Sequence, residues 1–158
     1  MLWRVVRVVL AAVVATTSLV LLERARRLVV VDVQGPSMEP TLYDGDRVLV
    51  RRVPLTAVRT GDLVIVARPP SFEFAAAGPW VIKRVAATAG EQIPPVIRHS
   101  WAENDIDFAG ALVPEGRLLV LGDNPTRSGD SRHWGFAEGD AVLGVVTRSM
   151  RPRARGRA

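Results

Sequence analysis

The chain has 158 residues and no cysteine, which suits one modest domain and excludes a disulfide framework and any thiol nucleophile or ligand. Hydrophobic residues make up 48 %, enough for a packed core, and the formal charge is +5, carried almost wholly by arginine. The arginines flank an apolar block and crowd the C-terminus, with neither a basic face of interleaved aromatics nor a nucleic-acid motif, so no nucleic-acid partner is expected, and no cofactor or metal either.

The first element is apolar. Residues 5–22 read VVRVVLAAVVATTSLVLL, with Arg7 the only charge. Eighteen helical residues reach about 27 Å, close to the thickness of a bilayer core. Arg7 is near one end and can snorkel to the headgroups. A cleaved secretory signal needs small residues after the apolar run, and here ERARR follows. Residues 1–26 are therefore read as an uncleaved transmembrane anchor with a basic flank. Arg4 and Arg7 precede the span while Arg24, Arg26 and Arg27 follow it, so a bare charge count puts the C-terminal part in the cytoplasm. Membrane lipid is an expected partner, because basic flanks meet anionic headgroups.

Residues 27–150 read as β. Valine-rich runs at 27–33, 46–53, 62–68, 80–87, 117–123 and 141–148 each predict a strand. Turn signals such as YDGD, RTGD, PEG and AEGD separate them. The expected fold is mainly β, an antiparallel coiled sheet or partial barrel. Residues 91–114 give no clear pattern and are expected to form a long loop or small excursion. The last eight residues, RPRARGRA, are expected to be a disordered basic tail.

Two side chains stand out. Lys83 is the single lysine of a chain that otherwise uses arginine. Arginine cannot supply deprotonation, because guanidinium stays charged at any working pH while a buried ammonium can lose its proton. In WVIKRVA, strand alternation puts Lys83 with Val81 and Val85, and Arg84 with Ile82. An amine on an apolar face is desolvated and its pKa falls. The plainer reading packs the stem and sends the head to water. Ser37, in VQGPSMEPTL, is one of seven serines. Gly35 permits close backbone approach, Pro36 and Pro40 stiffen the loop, and Met38 puts an apolar side chain beside the hydroxyl. A serine so held is a candidate nucleophile where a base reaches it. His99 and His133 are poorly placed for that work, and serine with lysine is a recognised variant of the chemistry.

LGDNPTRSGDSRHWGF at 121–136 resembles a segment of the type I signal peptidases, the S26 serine–lysine peptidases. GPSMEPTL is similar to their nucleophile box, GDLVIV to the following strand, and VIKRVAATAGE to the lysine box. The four blocks stand in the family's order between Val33 and Phe136. The resemblance implies a membrane-bound serine endopeptidase that removes signal peptides from exported preproteins. It implies that Ser37 attacks the scissile carbonyl and that neutral Lys83 takes its proton. Ser128 matches a serine that hydrogen-bonds and orients the lysine, Asp130 and Arg132 a supporting ion pair, and Asp123 another supporting acid. Asp130 and Arg132 would share a face if that segment were extended. Gly35, Pro36 and Met38 fall at the oxyanion and substrate-binding positions. Many members carry a serine where Gly35 stands, so the oxyanion is expected to rely on backbone donors, Ser37 N–H among them. The ATAGE turn departs from the usual glycine, proline and aspartate, and the interval from Lys83 to Gly122 is short, as in a minimal catalytic module. The resemblance also places the peptidase domain on the outer face of the plasma membrane as a single-pass protein, against the charge count.

Three other readings stay open. A maturase dedicated to one secreted precursor would keep the chemistry. A self-cleaving repressor would share the serine–lysine fold, although the anchor and the lack of a DNA-binding helix pair weigh against it. A non-enzymatic, membrane-tethered β module would need neither Ser37 nor Lys83.

Overall fold

The computed structural model describes residues 27–69, 78–104, 106, 108 and 110–150, with residues 3, 6, 7, 10 and 13–18 near the N-terminus. Most of the expected anchor and all of the expected tail at 151–158 lie outside the described residues. Among the described residues no helix is long and apolar enough to cross a membrane.

All six predicted strands form: β1 (Leu28–Asp32), β2 (Arg47–Arg51), β3 (Leu63–Ala67), β4 (Trp80–Thr88), β5 (Arg117–Leu121) and β7 (Val142–Met150). A two-residue strand, β6 (Ala137–Glu138), joins them. The order across the sheet is β1-β2-β7-β3-β4-β5-β6, and every neighbouring pair is antiparallel. The result is the expected mainly β, half-barrel sheet. Register shifts between Leu49 and Val50, between Ile65 and Val66, and between Val85 and Ala87 mark irregularities at which such strands bend.

Strand β3 lies near the centre and is buried on both faces. Ile65 joins one apolar cluster with Val33, Met38, Leu42 and Ile82, while Val64 and Val66 join another with Val85, Leu118 and Val120. That is why LVIVA is continuously apolar rather than alternating. A third cluster gathers Ala87, Ile93, Ile97, Trp101, Val113 and Leu119 beneath the segment that follows β4.

Of the two expectations for 91–114, a long loop or a small excursion, that segment is the second. It carries helix α1 (Pro95–Glu103), which opens on a proline at its first position and buries Ile97 and Trp101, one turn apart. Nine residues with two inward side chains are too few to show a helical period in the sequence. Trp101 packs edge-on against Phe108 and Phe136, and its Nε1 donates to the Ser131 carbonyl over 2.6 Å. The bond fastens α1 to the short helix α2 (Ser131–Trp134). Asp130 and Arg132 therefore do not lie along a strand. Asp130 caps α2 and Arg132 is within it, because an aspartate before a turn satisfies the first helical N–H groups.

Candidate active site

Strand alternation turns Lys83 and Arg84 to opposite faces of β4, as expected. Lys83 is 2 % exposed. Its Nζ donates to Ser37 Oγ over 2.9 Å, although the two residues are 46 positions apart. Burial takes the amine from 10.5 down to about 8. Asp130 pulls it upward, Arg132 pushes it down and Asp123 pulls it up again, each by its charge. The plainer reading, a lysine whose head reaches water, does not describe this side chain.

Ser37 sits in the loop that leaves β1. Its carbonyl accepts from the Asn124 N–H at 3.1 Å, which ties the loop to the segment after β5. Between them lies Gly122. A Cβ there would come within 2.1 Å of Ser128 Oγ and 2.6 Å of the Ser37 carbonyl oxygen, so only glycine lets the three segments meet. Met38 is buried in the core, and Gly35 and Pro36 line the groove beside Ser37.

Behind the lysine stands Asp130, with no exposed surface. Its carboxylate accepts from Arg132 Nε and Nη2, from Ser128 Oγ, and from the Gly122 N–H, all at 2.8–2.9 Å. Burial alone would raise its pKa; these donors, Arg132 foremost, hold it below the usual carboxylate range. The Asp130–Arg132 pair is thus present. Ser128 is placed differently from the expectation that it orients Lys83. Its hydroxyl donates to Asp130, and no bond from it to Lys83 occurs among the described residues. A buried hydroxyl gains most from a carboxylate acceptor, and that carboxylate acts on Lys83 by its charge.

Asp123 lies on the other side. Arg84 grips it with Nε at 2.8 Å and Nη2 at 2.6 Å, and Thr41 donates to the same carboxylate at 2.5 Å. Arg84 holds the Asp123 carboxyl below its ordinary range. The network joins the strand bearing the lysine, the loop bearing the serine, and the segment after β5. The sequence reading did not single out Arg84, Thr41, Gly122 or Asn124. Arg84 carried one signal, its place beside Lys83 with the opposite orientation.

His99 faces Glu103 on the exposed side of α1 at 3.3 Å, and His133 completes the capping box of α2.

A groove of about 420 Å³ opens beside Ser37 and Lys83. Val31, Val33 and Ile65 contribute to one part of its wall, and Trp80, Val81 and Ile82 to another. Strand β4 pairs with β5 only from Arg84 to Thr88, so among the described strands the outer edge of Trp80–Lys83 is unpaired. Strand β1 is likewise an edge, paired with β2 alone.

The chain matches the signal peptidase family, peptidase S26, over residues 2–95 and 96–150. It is 29 % identical over 146 residues to signal peptidase I of Bacillus licheniformis, covering 77 % of this chain and 75 % of that one. It is 24 % identical over 147 residues to signal peptidase IB of Staphylococcus aureus, covering 73 % of each. Against subunit 1 of the mitochondrial inner membrane protease of Mus musculus, identity is 33 % over 108 residues, 67 % of this chain and 59 % of that protein. By its match along nearly the whole sequence, the chain belongs to the signal peptidase family, peptidase S26.

Proposed function

We propose that Ser37 and Lys83 carry out in this chain the activity of its family, removal of signal peptides from preproteins by a serine endopeptidase. The observation that carries the assignment is the 2.9 Å contact between Ser37 Oγ and a buried Lys83 Nζ. A pKa of about 8 leaves roughly a tenth of the amine neutral at pH 7. In the neutral form the same separation serves the reversed bond, with the hydroxyl donating to the amine.

The reaction runs as acyl transfer. Ser37 Oγ attacks the scissile carbonyl carbon while Lys83 Nζ takes the hydroxyl proton. The tetrahedral intermediate collapses, the C–N bond breaks, and the Lys83 ammonium returns its proton to the leaving amine. A water then attacks the ester, giving its proton to Lys83. The ester bond breaks, and Ser37 Oγ recovers a proton. The Ser37 N–H, which makes no hydrogen bond among the described residues, is available to the oxyanion.

An extended peptide in the groove can pair with the free edges of β1 and β4 by β-augmentation. This places its scissile bond beside Ser37, and the apolar wall favours small or apolar side chains before the cut. Residues 27–150 are the peptidase domain, residues 1–26 its single-pass anchor in the plasma membrane, and residues 151–158 a basic tail suited to anionic headgroups. The domain faces outward, where preproteins emerge. Added protease on intact cells should digest it, and protection would reverse the topology. The activity test is cleavage, in detergent, of a fluorogenic peptide with small residues before the cut. Wild type should cleave it and Ser37→Ala should not; equal cleavage by both would reject the assignment.

A further inference from the structure

The loop from Gly35 to Ser37 carries two backbone N–H groups, since Pro36 has none. One is engaged: Gly35 N–H donates to Asp44 Oδ1 over 2.7 Å. The other, on Ser37, has no partner among the described residues. Asp44 is in the exposed turn between β1 and β2, outside the groove lining.

That turn is already fastened to the end of β1. Val33 N–H donates to the Asp46 carbonyl at 2.7 Å, and Gly45 N–H donates to the Val33 carbonyl at 3.0 Å. Beyond Val33 the chain departs from the turn, and no backbone carbonyl of the turn bonds Gly35. The Asp44 side chain supplies the next rung instead. Gly35 has φ +79°, a conformation that side chains rarely adopt, while a Cβ there would meet nothing within 4 Å. Glycine is therefore required by the backbone angle rather than by space. A glycine that must hold one such conformation gains from a bond that fixes it, because it has the most freedom to lose. On the other side of Pro36 the Ser37 carbonyl is held by Asn124. Clamped at both ends, the tripeptide keeps its one spare N–H in a fixed place.

We propose that Asp44 is a positioning residue for the oxyanion site: by binding the Gly35 N–H it fixes the turn that presents the Ser37 N–H to the developing negative charge. The inference rests on the reading of Ser37 as nucleophile. Asp44 touches neither substrate nor reacting atoms. Its role is that of an acceptor, and its charge is incidental, since a carboxylate near a forming oxyanion contributes nothing favourable.

The test uses the full chain in detergent and the fluorogenic peptide described above, with Ser37→Ala as the blank. Asp44→Ala removes the acceptor, and Asp44→Ser places one too short to reach Gly35. Both should lower kcat about 10- to 100-fold, the scale of a misplaced reacting group or a weakened oxyanion donor. KM should stay within about twofold and the pH midpoint of kcat/KM should stay at the wild-type value. Asp44→Asn retains an oxygen acceptor and should recover kcat to within about threefold of wild type. The proposal falls if Asp44→Ala and Asp44→Ser match wild type, or if Asp44→Asn is as slow as Asp44→Ala. It falls equally if the loss appears in KM, or with a moved pH midpoint, which would mean a general disturbance reaching Lys83. A wild-type chain that leaves the peptide uncut fails at the earlier step, the assignment of Ser37.

Discussion

Lys83 and Arg84 are adjacent on one strand, yet the two faces of β4 treat their cations in opposite ways. Lys83 is buried at the wall of the groove, bonded to a neutral hydroxyl, and its affinity for a proton falls. Arg84 is part-exposed, forked onto Asp123, and its affinity for a proton rises. The lesson is that sequence position does not set a side chain's charge state; the face does. On one side of β4 burial weakens the hold on a proton; on the other a permanent cation holds three chain segments together.

Breaking the Lys83 side should have the largest effect. Ser37→Ala and Lys83→Arg should each lower kcat/KM by about 10⁴-fold or more, as removal of a nucleophile or base does elsewhere. Unchanged circular dichroism would show that the domain is still folded. Lys83→Arg is the sharper variant, because it keeps the charge and loses the basicity, and substantial cleavage by it would remove the base from the account.

Next comes the seam between the two faces. Gly122→Ala should lower kcat about 100-fold, because its Cβ displaces the Ser37 carbonyl and the Ser128 hydroxyl together. Initial rates with the same peptide measure it, and a wild-type rate would mean that the seam tolerates the shift.

The Arg84 side should matter less to chemistry and more to stability. Asp123→Ala leaves a partly buried guanidinium without its fork. Discounted for the exposure of Arg84, the cost is about 1–2 kcal/mol in denaturant unfolding. Activity should fall about tenfold, through the freed Thr41 loop. A loss as deep as that of Lys83→Arg would erase the distinction between the faces.

A pH window tests the Lys83 face through stability alone. Lys83 has a folded pKa of about 8 against 10.5 when exposed, so between those values the unfolded chain binds more protons. Stability should therefore rise with pH across that window, by up to about 3 kcal/mol. Lys83→Met should abolish this rise, as read by urea unfolding at pH 7.5 and pH 10. An identical slope in both proteins would mean that the amine is not desolvated.

The strands were legible because valine-rich runs between turn residues have few other outcomes, and all six formed where expected. Ser37 and Lys83 were legible for two reasons, the motif resemblance and the oddity of one lysine among arginines. The remainder depended on contacts across long sequence distances. Helix α1 is nine residues long, with only Ile97 and Trp101 inward, and its stability comes from Phe108, Phe136 and Ser131. Local pattern carries no trace of those partners. Gly122 carried no local sign of its role, because the atoms that exclude a Cβ belong to Ser37 and Ser128. Ser128 was assigned by resemblance to the lysine, and the nearby carboxylate of Asp130 took its hydroxyl instead.

The central claim is that a neutral Lys83 activates Ser37, and the pH dependence of kcat/KM between pH 6 and 9.5 tests it most directly. The account predicts a rise of about tenfold per unit at the acid end, bending to a plateau above about 8. A flat profile, or a midpoint near 6.5 where an ordinary histidine titrates, would contradict it.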